Sequence, residues 1–154
     1  MILRVFLFVV IASTAFSSCT GPKKEKTPDD LSREFMELYK KNGARAVYFF
    51  FEGNKFDPGV AGTEYAAKKL DTVVQELGNY RDYELLTCNK AGNSLVLLSY
   101  MVKYDREPIR FNLYYYKPDK EWLPYHYTFD TDLRKELDVS GEMRYLNKTY
   151  STNK

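Results

Sequence analysis

Hydrophobic positions repeat with two different periods along the chain, and the change from one to the other comes about midway. Leu31, Phe35, Leu38 and Tyr39 recur at helical spacing behind Thr27-Pro28-Asp29-Asp30. There a hydroxyl can cap, proline at the first helical position gives up a donor that has no partner anyway, and two carboxylates face the positive helix end. Gly43 supplies the stop. Residues 44–52 hold the unbroken apolar run Val47, Tyr48, Phe49, Phe50 and Phe51, where periodicity alone leaves helix and strand open. Ala44 and Ala46 favour a short helix. Asn54, Asp57-Pro58-Gly59 and a glycine at each end mark 53–62 as a loop. A further helix is expected to begin at Thr63, with the stripe Tyr65, Leu70, Val73, Val74 and Leu77, and to stop at Gly78.

From Tyr83 the period becomes two. Residues 83–88, 95–104, 109–117 and 122–129 read as strands, and their short Gly-, Asp- and Pro-bearing connections call for antiparallel hairpins. In the third strand Ile109, Phe111, Leu113 and Tyr115 fall on one face, and Arg110, Asn112, Tyr114 and Tyr116 on the other. The first set is expected against the helices. Thr131 and Asp132 then read as the cap of a short helix through Leu133 and Leu137, followed by a polar tail over 141–154. Helices first and a meander afterwards predict an α+β fold: N-terminal helices packed on a curved four-stranded antiparallel sheet, cone-like, in one domain over 27–140.

Composition adds two points. A chain of 154 residues, 44% hydrophobic, is long enough for one core, and its 14 Tyr and 10 Phe imply a sheet rich in aromatic rings. The 23 basic and 21 acidic residues nearly cancel, so no nucleic-acid partner is expected.

The first residues carry a different message. Met1-Ile2-Leu3-Arg4, an apolar run over 5–12 and then small residues have the order of a secretory signal over 1–18. The run is shorter than the about 20 apolar residues that a spanning helix needs. Phe16-Ser17-Ser18-Cys19 follows. It resembles a lipobox, where bacterial lipoproteins are cleaved before a cysteine that then carries the lipid; Phe16 stands where the usual pattern has an aliphatic residue. Cys19 is therefore expected to be acylated, with the bilayer, at the outer membrane, as its partner and the folded domain outside the cytoplasm. The alternative is plain secretion after a cut near Ala15 or Ser18. Residues 19–26, with Gly21, Pro22 and three lysines, read as a solvated tether.

The order of elements resembles the cone-shaped, cystatin-like superfamily that includes nuclear transport factor two and ketosteroid isomerase. Gly78-Asn79-Tyr80-Arg81-Asp82-Tyr83-Glu84, the strand 95–104, Pro108-Ile109-Arg110-Phe111 and Tyr116-Lys117-Pro118 followed by Trp122 look like a group of bacterial lipoproteins of that superfamily. The resemblance implies helices enclosing one side of a curved sheet, and it favours a helix over 44–52. It brings no catalytic residue with it.

Candidate chemistry is sparse. His126 is the only histidine, so a histidine-rich metal site is excluded and acid-base catalysis would rest on this ring. Alternation puts it on a face with Thr128 and Asp130, too far from the carboxylate for contact unless Pro124 introduces a bulge. The other reading is a structural or surface histidine. Cys88 is the only cysteine left once Cys19 is acylated, and a buried, inert thiol is expected. Asp29, Asp30, Asp57, Asp130 and Asp132 fit caps and turns better than a calcium loop, and no cofactor or metal is expected. Tyr100, Tyr104, Arg110, Tyr114 and Tyr116, with His126, are the candidate ligand-facing cluster, a cation among aromatic hydroxyls suited to an anionic or sugar-like molecule. The alternative is a solvent-facing, tyrosine-bearing sheet that contacts a protein. The expected role is a non-enzymatic binding or envelope-assembly module; a small-molecule binder or isomerase-like enzyme is the other reading. A cavity of about 300 Å³ or more walled by Arg110 or His126 would favour the latter, and a filled cone with an exposed aromatic patch the former.

Overall fold

In the computed structural model, which describes residues 25–134, 136–138 and 141, Thr27 opens helix α1 (Pro28–Asn42) with a capping box. Its hydroxyl accepts the Asp30 N–H at 3.2 Å, and the Asp30 carboxylate accepts the Thr27 N–H at 3.1 Å. The signal segment, Cys19, the tether up to residue 24 and residues 142–154 lie outside the described residues. The buried stripe of α1 is Pro28, Ser32, Phe35, Met36 and Tyr39, while Leu31 and Leu38 are only half-buried. It is turned slightly from the expected one. A 3-10 turn (Gly43–Arg45) leads into α2 (Ala46–Phe51), so the apolar run is helical, with Val47, Phe50 and Phe51 inside and Tyr48 and Phe49 outside.

Helix α3 (Gly59–Gln75) starts before Thr63, contrary to expectation. The Asp57 carboxylate accepts the Gly59 N–H at 2.9 Å, so the Asp-Pro-Gly turn is itself the helix entry. Thr63 lies inside the helix, buried, with its hydroxyl turned back to Asp57.

Strands β1 (Tyr80–Ala91), β2 (Leu95–Tyr104), β3 (Ile109–Tyr116) and β4 (Leu123–Asp130) form one antiparallel sheet in that order, curved and not closed. The chain is thus α+β, with helices packed on one face of the sheet. Ile109, Phe111, Leu113 and Tyr115 are all fully buried on that face, as alternation requires. Val96, Leu98, Tyr100 and Val102 of β2 join them. Rings fill the space between the layers: Phe35 meets Phe50 at 5.2 Å and Phe111 at 5.8 Å, Tyr39 meets Phe111 at 5.0 Å, and Phe50 reaches Tyr115 at 5.9 Å. Tyr127 and Phe129 close the β4 side.

β1 is longer than its pattern suggests, because it pairs with β2 from Tyr80 to Ala91 through two register shifts that break the alternation. It is an edge strand, and its helix-facing side runs out of cover. Tyr83 still packs on Tyr100 at 5.9 Å, but Leu85 is 49% exposed. Cys88, opposite the buried Leu98, is exposed, so the expected buried thiol is corrected.

Candidate functional site

Strand register decides which candidate residues can meet. Tyr100 lies opposite Phe111, whereas Arg110 lies opposite Met101 and Asp130, so Tyr100 and Arg110 point to different faces of the sheet. Tyr104 also turns toward the helices, where its hydroxyl makes a very short contact with that of Tyr39. Tyr114, Tyr116 and His126 remain with Arg110 on the far face. The six candidates therefore form two groups and not one cluster.

The inner group is a set of buried hydroxyls. Ser32 Oγ donates to Tyr115 Oη at 2.8 Å, and both residues are fully buried. Tyr100 leans on the same serine. Burial pushes the hydroxyls of Tyr39, Tyr115, Tyr100 and Tyr104 above the ordinary tyrosine value, and takes Tyr127 up to about 12. They stay neutral and are not bases, and Tyr115 with Ser32 and Tyr39 with Tyr104 are hydrogen-bond partners. Ser32 was absent from the sequence candidates, although its place between Pro28 and Phe35 on the apolar stripe marks it.

A folded-state pKa above the unfolded value of about 10 means that the native state keeps protons the unfolded chain has lost. Stability is then fully present below about pH 10 and falls as pH rises through the folded values, by about 1.4 kcal/mol per pH unit for each of Tyr39 and Tyr115. Urea midpoints measured from about pH 9 to about pH 11 should show this decline. A flat profile would place these hydroxyls in solvent.

The outer group is centred on Arg110, whose charge is already answered. Its Nε and Nη2 donate to the Asp130 carboxylate at 3.2 and 2.9 Å, and Nη1 donates to Glu136 at 2.8 Å. Residues 133–134 and 136–138 are helical, and the Asp130 carboxylate takes the Asp132 N–H at 3.0 Å at their entry. Asp132 stands directly ahead of the helical residue Leu133, at the place the cap reading gave it. Next to this group Asn112 donates to Thr128 at 3.2 Å, and the buried Ser99 hydroxyl has no partner among the described residues. His126 is exposed and lies beside the Tyr114 ring at 5.7 Å. Asp130, on its face, is engaged by Arg110. A register shift does occur next to Pro124, yet it leaves Tyr125 as the extra residue and brings no carboxylate to His126.

That shift exposes something the alternation concealed. Tyr125, 46% exposed, meets Phe56 at 5.1 Å and Tyr116 at 6.1 Å, and Phe56 meets Tyr116 at 6.0 Å. The loop after α2 is pinned there by Asn54 Nδ2, which donates to the Pro124 carbonyl at 3.2 Å. Lys55 and Lys117 add ammonium groups over Phe56 and Trp122 at 5.5 and 5.8 Å. The result is an exposed aromatic end on the molecule. Elsewhere, a cleft of about 330 Å³ between the 3-10 turn and α3 is lined by Arg45, Tyr48, Glu64, Lys68 and Asp71 among others. The Glu64–Lys68 ion pair at 2.7 Å takes up part of its charge, and neither Arg110 nor His126 borders it. No described helix is long and apolar enough to cross a membrane. No family model matches the chain, and no curated protein matches it.

Proposed function

We propose that the protein is a lipid-anchored, extracytoplasmic domain of the cystatin-like cone superfamily that acts by surface contact and not by catalysis. The observation that carries the second half of this reading is the ring-filled interior. Where an isomerase-type cone would hold substrate, Phe35, Tyr39, Phe50, Phe111, Tyr115 and Tyr127 pack against one another at ordinary aromatic distances. The one histidine is outside, in solvent. The first half is supported by the signal-like segment ending in Phe16-Ser17-Ser18-Cys19. Several acyl chains at about 0.8 kcal/mol per buried methylene make such attachment effectively permanent.

Cys19→Ser should move most of the protein from the membrane fraction to the soluble fraction when expressed in a bacterium that processes lipoproteins. Mass spectrometry of the wild-type product should find acyl chains on its first residue. Persistence of the variant in the membrane, or a free thiol at Cys19 in the mature chain, would count against the anchor.

A further inference from the structure

We propose that the end of the domain bearing Phe56, Tyr116, Trp122 and Tyr125 rests on the lipid headgroup layer, so that the anchored domain meets the bilayer in one orientation. This rests on the reading that Cys19 is acylated.

The chain's own start points to this end. Glu25, the first described residue, is held there by Lys117, whose Nζ lies 2.6 Å from the carboxylate. The Lys117 N–H donates to the Ser94 carbonyl at 2.8 Å, which brings the β1–β2 turn to the same end. Only six residue-to-residue steps lead from Cys19 to Glu25. Fully extended, they span at most about 20 Å. The opposite end of the sheet, where β2 turns into β3, lies roughly a further 30 Å away, the length of a ten-residue strand at about 3.3 Å per residue. A lipid on Cys19 therefore keeps the aromatic end, and not the far one, next to the bilayer.

The chemistry of this end suits that position. Tyr116 and Tyr125 are 37% and 46% exposed, and with Phe56 they form a cluster of rings that a water-facing surface has no use for. Tyrosine and tryptophan rings flanked by lysines settle at the membrane–water boundary, with rings at headgroup level and ammonium groups toward water or phosphate. The charges nearby are mixed: Lys55, Lys117 and Lys120 stand among Glu25, Asp57, Asp119 and Glu121. Ring burial and not anionic lipid is thus the source of the contact. A short tether holds the surface at an effective concentration of order millimolar, so a contact too weak to recruit the free domain suffices to orient the anchored one.

Trp122 is the only tryptophan, so its fluorescence reports on this end alone. The full acylated protein is reconstituted into phosphatidylcholine vesicles, with and without phosphatidylglycerol, carrying spin-labelled lipids as quenchers. Shallow labels should quench Trp122 several-fold more than deep ones, to a similar extent in both lipids. Tyr116→Ser/Tyr125→Ser should weaken this quenching without releasing the protein from the vesicles. In a Trp122→Phe chain carrying Glu107→Trp at the far end, quenching should be absent. Equal quenching at both positions, or no quenching of Trp122 in a chain that is acylated and sediments with the vesicles, overturns the orientation and leaves the anchor standing. A chain without acyl groups that stays in the supernatant removes the anchor, and the orientation with it.

Discussion

Phe111→Ala is expected to cost the fold about 3–5 kcal/mol, the range for removing a buried aromatic ring from a packed interior. Phe111 has no exposed surface and sits among Phe35, Tyr39 and Phe129 at 5.8, 5.0 and 6.1 Å. Each neighbour is fixed by another: Phe35 by Phe50, Tyr39 by its hydroxyl contact with Tyr104, Phe129 by its place on β4. Collapse into the space left behind is therefore limited, and the cavity term adds to the lost transfer free energy. Domains of this size hold about 5–15 kcal/mol in total, so the variant should sit close to its unfolding threshold. Urea denaturation should show a lower midpoint with an unchanged slope. The result bears on function as well as stability. A loss below about 1 kcal/mol would mean that the interior is loosely filled, and would reopen the case for a pocket among these rings.

How far the sequence announces this molecule differs between elements for definite reasons. β3 is plain in the sequence because it is an interior strand with one face wholly buried and polar residues or tyrosines on the other, while β2, also interior, carries Leu97 and Met101 on its outer face and is plain from its near-continuous apolar run. β1 is an edge strand with two register shifts, and its Asn89 and Lys90 look like turn residues although they pair with Leu97 and Val96. The entry of α3 is hidden because Asp57-Pro58-Gly59 has the composition of a turn and also leads straight into a helix. The candidate cluster suffered from a different gap. Alternation within a strand says that Arg110 and Tyr114 share a face, but not whether Tyr100 shares it. That depends on pairing Tyr100 with Phe111 and not with Arg110, a register set by turn geometry. The aromatic end is harder still, since Phe56 comes from a loop and Tyr125 from a bulge, and neither follows a period. The fold class and the location reading rest on patterns local to the chain, whereas the surface that would touch a bilayer exists only after folding.

Ser32→Ala is expected to cost about 2–3 kcal/mol, far more than loss of a serine hydroxyl from a helix surface, because of what it strands. The Ser32 hydroxyl donates to Tyr115 at 2.8 Å, and Tyr115 is wholly buried between α1 and the sheet. With alanine at 32 the Tyr115 hydroxyl keeps its desolvation cost and loses its partner, and Tyr100 loses a neighbour on the same oxygen. An orphaned buried hydroxyl costs about 1–3 kcal/mol, while removing both members of a pair can be close to neutral. The two effects separate in a double-mutant cycle. Tyr115→Phe alone leaves Ser32 with its helix carbonyls as alternative acceptors, so its cost should be smaller. Ser32→Ala/Tyr115→Phe should then be less destabilised than the sum of the single changes, with a coupling of about 1–2 kcal/mol read from urea midpoints. Strict additivity would mean that water reaches these hydroxyls. The rings would then not be locked against α1, and an interior open to solvent at Ser32 would be open to a small ligand too.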